Sequence, residues 1–209
     1  MAQYQKDEVR DRIAAGALKV LARNGYRASS MADIADAAGV SSGNLYRYHG
    51  GKKDLYQAVI PDAFVEELGV RLHRRVQSLD GVDDIRTLPA DAPFHALSEE
   101  LLAFCIRNRL RVVVLLGRSQ GTRHEGFADA LVRDLADRAI AHFQGLQPDL
   151  EVPPTTRFAL TRIYRHLVDT IVDILVRYGD ESRIRQAVAG FSRYHLAGLK
   201  ALFEEEWEP

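Results

Sequence analysis

The chain has 209 residues and a formal net charge of −1, with 46% hydrophobic and 27% charged residues, a composition that excludes a disordered or collagen-like chain. Its single cysteine, Cys105, cannot form an intrachain disulfide or a thiolate metal site, which argues against an extracellular disulfide scaffold. The N-terminus lacks the apolar core of a signal peptide, and the longest dense apolar run, 112–116, is too short for a membrane span, so we expect a soluble, cytoplasmic protein.

Apolar residues recur at helical spacing along almost every long segment, and no segment alternates with period two, so we predict an all-α protein. The first helix is expected over 7–24, with Gly25 as a left-handed residue that stops it. Ser29 and Ser30 can cap a second, short helix, in which Asp33 is placed to complete a capping box.

The second helix is expected to end at a tight turn over 39–40, where a glycine precedes a valine. A third helix follows over 41–48, with its first serine as the cap. The glycine pair 50–51 interrupts the chain before a fourth helix begins at Lys52, and Pro61 either ends or kinks that helix.

Beyond residue 80, clusters of proline and aspartate mark two loops, 80–93 and 147–156, the first with room for one helical turn around Ile85. Thr122 and Glu125 have the spacing of a capping box that begins a helix. The helices predicted in this half of the chain lie near 94–118, 123–146, 155–178 and 182–204.

The second and third predicted helices form a helix-turn-helix pattern. A helix enters the major groove of B-DNA when a neighbouring helix braces it, which requires small residues at the crossing, here Ala35 and Ala38. Small polar residues at the exposed start of the third helix allow close approach to base edges, and Asn44 offers a donor and an acceptor to adenine. The first sixty residues have nine basic and six acidic side chains, a net charge of +3, so the remainder carries −4, as expected for a nucleic-acid-facing head.

The residues over 25–35 and 38–48, followed by Lys52, resemble the N-terminal domain of TetR-family transcriptional regulators. The resemblance implies nine or ten helices: three for DNA binding, a fourth as connector, and a helical body that binds a small effector and dimerises through its last two helices. We therefore expect a helix-turn-helix domain over 1–51 and a connector, effector-binding and dimerisation domain over 52–209.

The resemblance also implies roles for individual residues. Ile34, Ala35, Val40 and Leu45 are expected in the core. Contacts with phosphates are expected from Ser30, Tyr48 and Lys52. Contacts with bases are expected from Ser42, Gly43, Asn44 and Arg47. The predicted DNA-binding residues are Ser30, Ser41, Ser42, Gly43, Asn44, Tyr46, Arg47, Tyr48 and Lys52.

His49 departs from the family pattern, which usually has phenylalanine at this position. Without this aromatic residue the apolar packing beneath the recognition helix is weaker. We therefore hypothesise a less stable N-terminal domain whose operator binding depends on pH. A half-exposed histidine in a loop is the alternative interpretation.

A serine hydrolase is the rival interpretation of the sequence. Residues 117–121 fit the G-x-S-x-G pattern with Ser119 as nucleophile, and 49–51 mimic an oxyanion loop. The pattern requires a strand before the serine, whereas 112–116 continue a helical stripe. We therefore predict no enzyme activity, no catalytic residue and no cofactor.

A metal effector is a further alternative, because His166, Asp169 and Asp173 share one helical face. Arginines on the same face can pair with the two aspartates, so we predict no metal site. An organic effector is expected between the connector and the middle helices, although core packing would equally explain the aromatic candidates. The candidates are Phe64, Phe104, Arg118, Phe127 and Tyr164.

The last two predicted helices carry more apolar surface than one neighbour covers, and small residues along the final helix allow close approach of a partner. This pattern favours a homodimer through a four-helix interface, which would present two recognition helices about 34–36 Å apart to palindromic double-stranded DNA. Repression is predicted from the family tendency. The predicted interface residues are Ile171, Leu175, Phe191, Tyr194, His195, Gly198 and Leu202.

Overall fold

The computed structural model describes residues 2–82 and 84–202, and every regular element in this part of the chain is helical, which confirms the predicted all-α class. A 3₁₀ turn, Ile85–Thr87, lies where a single helical turn was expected. The α-helices are α1 (Ala2–Ala28), α2 (Met31–Ala38), α3 (Ser42–Tyr48), α4 (Lys52–Val59), α5 (Asp62–Gln77), α6 (Pro93–Arg107), α7 (Arg109–Gly117), α8 (Phe127–Leu146), α9 (Pro154–Arg177) and α10 (Glu181–Ala201). None of these described helices is long and apolar enough to cross a membrane.

The described chain forms two compact units. The first contains residues up to 67 together with 108–127, and the second contains 68–107 and the residues from 128 onward. The predicted boundary between residues 51 and 52 differs from this division because α4 packs within the first unit. Leu55 and Tyr56 of α4 are buried. The Arg111 Nε of α7 donates to the carbonyl of Val59, the last residue of α4, at 2.9 Å.

Helix α1 is interrupted near its end. Gly25 has φ 79° and ψ 162°, a backbone conformation with positive φ that favours glycine. The Ser29 hydroxyl donates to the Gly25 carbonyl at 2.6 Å, and one further helical turn reaches Ala28. The predicted interruption at Gly25 is therefore present, but ψ is not that of a left-handed cap and the helix does not stop there.

The core of the first unit contains Ile13 of α1, Ile34 of α2 and Leu45 of α3, all with no exposed surface. Helices α1 and α2 approach so closely that a Cβ added at Gly16 would lie 2.8 Å from the backbone nitrogen of Ala38. Glycine at this position is a requirement of the packing that the sequence analysis missed.

Boundaries in the second half of the chain are partly as predicted. The helix expected over 94–118 is two helices, α6 and α7, because Asn108 between them has φ −104° and ψ 25° and interrupts the regular hydrogen bonding. Helices α9 and α10 lie where they were expected, although the predicted end at residue 204 falls outside the described residues. Pro61 ends α4 and does not kink a longer helix.

The predicted capping box at Thr122 is wrong. The Thr122 hydroxyl donates to the carbonyl of Ser119 at 2.7 Å, and the carboxylate of Glu125 accepts from the N–H of Gly121 at 2.9 Å. Both side chains therefore close turns within the loop, and α8 begins later, at Phe127.

Candidate DNA interface and ligand cavity

The turn between α2 and α3 is fixed by local hydrogen bonds. Gly39 is left-handed, with φ 64° and ψ 39°, and its N–H donates to the carbonyls of Ala35 and Asp36. The Ser41 hydroxyl then caps α3 by accepting from the N–H of Asn44 at 3.2 Å. These contacts set the direction in which α3 leaves α2.

The first turn of α3 is open to the surroundings. Ser42 and Gly43 are exposed, Asn44 is partly buried, and the next residue, Leu45, anchors the helix with no exposed surface. A Cβ placed at Gly43 would have no neighbour within 4 Å. Within the described residues the Asn44 amide group makes no hydrogen bond of its own. This turn therefore offers small and unpaired polar groups to a partner surface.

The second turn of α3 adds aromatic and basic groups. Tyr46 is 55% exposed and Arg47 is exposed, with no ion pair for Arg47 in the described part of the chain. Tyr48 is partly buried, and the Arg10 guanidinium lies 5.9 Å from the centre of its ring. Arg47 and the neighbouring aromatic hydroxyls are thus available for phosphate oxygens or base edges.

Ser30 forms the predicted capping box with Asp33. Its hydroxyl donates to the Asp33 carboxylate at 2.7 Å and accepts from the Asp33 N–H at 3.1 Å, while its own N–H donates to the carboxylate at 2.9 Å. Hydrogen bonds from Ser30 hold the pKa of Asp33 below its ordinary value. Both donors of Ser30 are therefore occupied within the free protein.

Lys52 has a role that differs from the predicted phosphate contact. Its ammonium group donates to the carbonyls of Tyr26 at 2.9 Å and Ser29 at 2.7 Å, with Arg27 at 3.5 Å, and it lies 4.5 Å from the centre of the Tyr26 ring. An ammonium has three donors, and all three are directed at the C-terminal end of α1. Lys52 therefore joins the end of α1 to the beginning of α4.

His49 lies at the C-terminal end of α3, where its backbone N–H donates to the carbonyl of Leu45 at 3.1 Å. Its Nδ1 is 3.3 Å from the Asp54 carboxylate, which also accepts from the N–H of Gly50 at 3.1 Å. The side chain of His49 is 15% exposed. The ring is therefore largely buried and is held by an acid on α4.

The loop at 118–126 is where the hydrolase pattern lies, and its geometry differs from a nucleophile elbow. The serine follows helix α7 and not a strand. Ser119 is 3% exposed, and its hydroxyl donates to the carbonyl of His124 at 3.2 Å. This arrangement gives Ser119 a role in closing the loop.

Comparison with known proteins identifies the N-terminal domain. Residues 13–59 match the family model of bacterial regulatory proteins of the tetR family. The similarity to the TetR family lies in this N-terminal domain. Over 55 residues it is 42% identical to the HTH-type transcriptional activator FasR of Mycolicibacterium smegmatis (strain ATCC 700084 / mc(2)155), a match that covers 26% of this chain and 25% of FasR.

A crystal structure of a tetR-family transcriptional regulator from Streptomyces coelicolor is similar to the whole chain at a TM-score of 0.37 and 22% identity, over 96% of this chain and 85% of that chain. The match to the TetR family model covers residues of the first unit only.

The second unit contains a cavity of about 810 Å³ between helices α5, α6, α8, α9 and α10. This volume lies within the range of about 300–1,000 Å³ usual for small-molecule sites. Leucine is the commonest residue in its wall, and the polar groups include Arg75, Tyr164 and His195. The cavity can therefore hold an organic molecule that is mostly apolar.

The polar side chains of Arg75, Tyr164 and His195 lie close together in this wall. The Arg75 Nε donates to the Ser98 hydroxyl at 2.9 Å, and the rings of Tyr164 and His195 meet edge to face with centres 5.5 Å apart. Burial raises the pKa of Tyr164 to about 12. Burial first, and then the positive charge of Arg75 and the electrostatic interaction with His166, lower the pKa of His195 to about 4. At neutral pH the cluster therefore has one cation beside two neutral groups.

The predicted effector residues are separated by the structure. Tyr164 lines the cavity, whereas Phe64, Arg118 and Phe127 belong to the first unit. Phe104 lies in the second unit, 4% exposed, with the Arg71 guanidinium 4.9 Å from the centre of its ring. Four of the five residues are thus outside the cavity wall, because α7 and the loop after it pack with the N-terminal helices.

The predicted dimer residues also divide into two groups. Ile171, Leu175 and His195 line the cavity of their own chain, which gives these three a place inside the second unit. The other residues face outward or are partly exposed, and Tyr194 is 70% exposed. Those that remain available to a second chain are Phe191, Tyr194, Gly198 and Leu202.

The described residues contain no group of three histidine, cysteine or acidic side chains that could hold a metal ion. His166 contacts the ring of Phe191 at a centre-to-centre distance of 5.6 Å. Arg165 on the same helix pairs with Asp129 of α8.

Proposed function

We propose that the protein is a sequence-specific DNA-binding transcriptional regulator that acts as a homodimer on a palindromic operator and has no enzymatic activity. The observation that carries this proposal is the first turn of α3, where Ser42, Gly43 and Asn44 present small and unpaired groups on a helix anchored by Leu45. A braced helix with such a surface fits the major groove.

Phosphate contacts are proposed for Tyr46, Arg47 and Tyr48, with Lys53 beyond them at the exposed start of α4. Ser41 and Ser30 are proposed to act mainly through their caps, which orient α3 and α2. Lys52 is proposed to act by joining α1 to α4, and this assignment replaces the phosphate contact expected from the sequence.

Recovery of genomic DNA fragments bound by the protein tests this proposal most directly. We expect the fragments to share a palindrome whose half-sites are about one helical turn apart. Binding to the recovered site should weaken steeply with salt, because each phosphate contact contributes about −0.9 to the slope of log K against log salt. Fragments without a shared motif, or a salt-independent affinity, contradict sequence-specific binding.

The homodimer is proposed to form through the outward face of α9 and α10. Tyr194 is 70% exposed, and a Cβ at Gly198 would meet nothing within 4 Å, so the described residues leave this face uncovered. Sedimentation of the wild type should give a dimer at micromolar concentration. Tyr194→Glu with Gly198→Glu should give a folded monomer, while a monomeric wild type contradicts the proposal.

An effector in the cavity of the second unit is proposed to control operator affinity. Such a ligand acts by binding better to one conformation of the protein, with a coupling of about 1–3 kcal/mol. The loop at 118–126 lies between α7 and α8, and its His124 contacts Tyr56 of α4 at 3.2 Å and Asp62 of α5 at 3.3 Å. These contacts join the loop to α4 and to the beginning of α5 within the first unit.

Repression is proposed as the sign of regulation, from the family tendency, and FasR, the similar protein named above, is described as an activator. Transcription in vitro from a promoter that contains the recovered operator distinguishes the two. Lower transcript yield on addition of the protein supports repression, and higher yield identifies an activator.

A further inference from the structure

Arg75 is a cation in the cavity wall that lacks an anionic partner in the part of the chain that the structure describes. Its Nε donates to the Ser98 hydroxyl at 2.9 Å, and its guanidinium lies 4.7 Å from the centre of the Phe94 ring. Neither partner carries a charge, and no ion pair joins Arg75 to a carboxylate within the described residues. Other arginines of the same wall are paired: Arg185 lies 2.7 Å from Glu99, and Arg138 lies 2.8 Å from an aspartate of its own helix.

The groups beside Arg75 do not neutralise it. Tyr164 is protonated at neutral pH, as an ordinary tyrosine is, and burial raises the pKa of its hydroxyl further, to about 12. His195 is also uncharged because its pKa is lowered to about 4, in part by Arg75 itself. A cation among buried apolar groups is unfavourable without a counter-charge, so an anion from outside the chain would find a strong partner here.

We propose that the cavity binds an amphipathic carboxylate, a molecule whose single carboxylate pairs with Arg75 while its long apolar body lies among the leucines. This proposal rests on the proposed role of the cavity as an effector site. The planar guanidinium suits a carboxylate because it offers two parallel donors, and its terminal nitrogens remain after Nε has bound Ser98. The Tyr164 hydroxyl in the same cluster is a further donor for the second carboxylate oxygen.

Calorimetric titration of the wild-type protein without DNA tests the chemistry of the ligand. The probes are myristate, its methyl ester and tetradecylammonium, which share the apolar chain and differ in charge, each used below its micelle-forming concentration. We expect myristate to bind at one site per chain, the ester at least tenfold more weakly, and the ammonium not at all. Equal binding of the ester, stronger binding of the ammonium, or no binding of myristate overturns the proposal.

Two variants test the residue. Arg75→Met keeps the length of the side chain and removes its charge, and Arg133→Met is the matched control on the exposed side of α8. Arg75→Met should weaken myristate binding at least tenfold and leave ester binding unchanged, and Arg133→Met should change neither. The melting temperature of Arg75→Met without ligand should equal or exceed that of the wild type, because an unpaired cation has been removed. Equal myristate affinity in Arg75→Met and wild type excludes Arg75 as the partner, and if this variant does not fold, Arg75→Gln takes its place.

Operator binding separates this inference from the function it rests on. We expect myristate to change operator affinity at least fivefold in the wild type and to have no effect in Arg75→Met. Myristate that binds without changing operator affinity supports the carboxylate site and contradicts its role in regulation. A protein that binds no specific DNA contradicts the proposed function, whereas the calorimetric result for the cavity still holds.

Discussion

The two units of the molecule treat their polar groups differently. In the first unit the groups that support α3 pair with the chain itself: Lys52 donates to the end of α1, and Ser30 and Asp33 bond each other. In the second unit a cavity of about 810 Å³ remains among the helices, and Arg75 in its wall has no carboxylate partner among the described residues. The comparison shows that the polar groups supporting α3 pair within their own unit, whereas a cation in the cavity wall of the other unit is left without an acid.

The largest test of this contrast concerns the open turn of the first unit. Gly43→Leu should reduce operator affinity at least a hundredfold, or by about 2.7 kcal/mol, because a large side chain would occupy the space of a base edge. The free protein should melt at the same or a higher temperature, because the new side chain meets no atom within 4 Å and a glycine has been removed from a helix. A loss of stability that parallels the loss of binding would falsify the assignment of this turn.

Acid should destabilise the second unit through His195. Its pKa is about 4 in the folded protein and near 6.5 in the unfolded chain, so the unfolded chain takes up the proton first as the pH falls. Stability is therefore complete above pH 6.5 and declines towards pH 4, by about 2 kcal/mol between pH 6.5 and 5. Urea unfolding across this range should show a shallower decline in His195→Gln, and His73→Gln on the exposed face of α5 should behave as the wild type.

Close packing in the first unit can be tested at Gly16. Gly16→Ala should lower the free energy of unfolding by about 2 kcal/mol, because its Cβ would lie 2.8 Å from the Ala38 backbone nitrogen and force α1 away from α2. Gly69→Ala is the matched control within α5, where a Cβ meets no atom within 4 Å and should stabilise the helix by about 0.5–1 kcal/mol. Equal effects of the two substitutions in chemical denaturation would contradict the close approach.

The smallest expected effect separates the two roles considered for Lys52. Lys52→Met should lower stability by about 1 kcal/mol, through loss of its contacts with the end of α1, and should leave the salt slope of operator binding unchanged. Lys53→Met, at the exposed neighbouring position, should have no effect on stability and should reduce the magnitude of the slope by about 0.9 if it removes a phosphate contact. A reduced slope in Lys52→Met would restore the phosphate role.

Local chemistry explains what the sequence could predict. The capping box of Ser30 with Asp33, the tight turn at Gly39 and the cap by Ser41 involve groups within a few residues of one another, and all three are present. Most of the helices were also predictable, because apolar residues at helical spacing within one segment indicate the buried face of a helix.

Contacts between distant residues were not predictable in the same way. The ammonium of Lys52 reaches carbonyls more than twenty residues earlier in the chain, and the packing of Gly16 depends on Ala38 of another helix. Of the five effector candidates, Tyr164 lines the cavity and the other four do not. The sequence could not separate them, because an aromatic residue in a helix does not indicate which neighbouring helix covers it. The sequence could not show that Arg75 differs from the other arginines of the wall, because only the structure shows that Arg138 and Arg185 pair with acids.

The membership of α7 and its following loop in the first unit limits how the protein can be divided. The Tyr26 N–H donates to the carbonyl of Arg118 at 3.1 Å, and Arg111 donates to the last carbonyl of α4. A fragment that stops before residue 68 would lack both contacts and would expose the side chains that α7 covers. Chimeras that exchange DNA-reading heads between related regulators therefore need to transplant 108–127 together with the N-terminal helices.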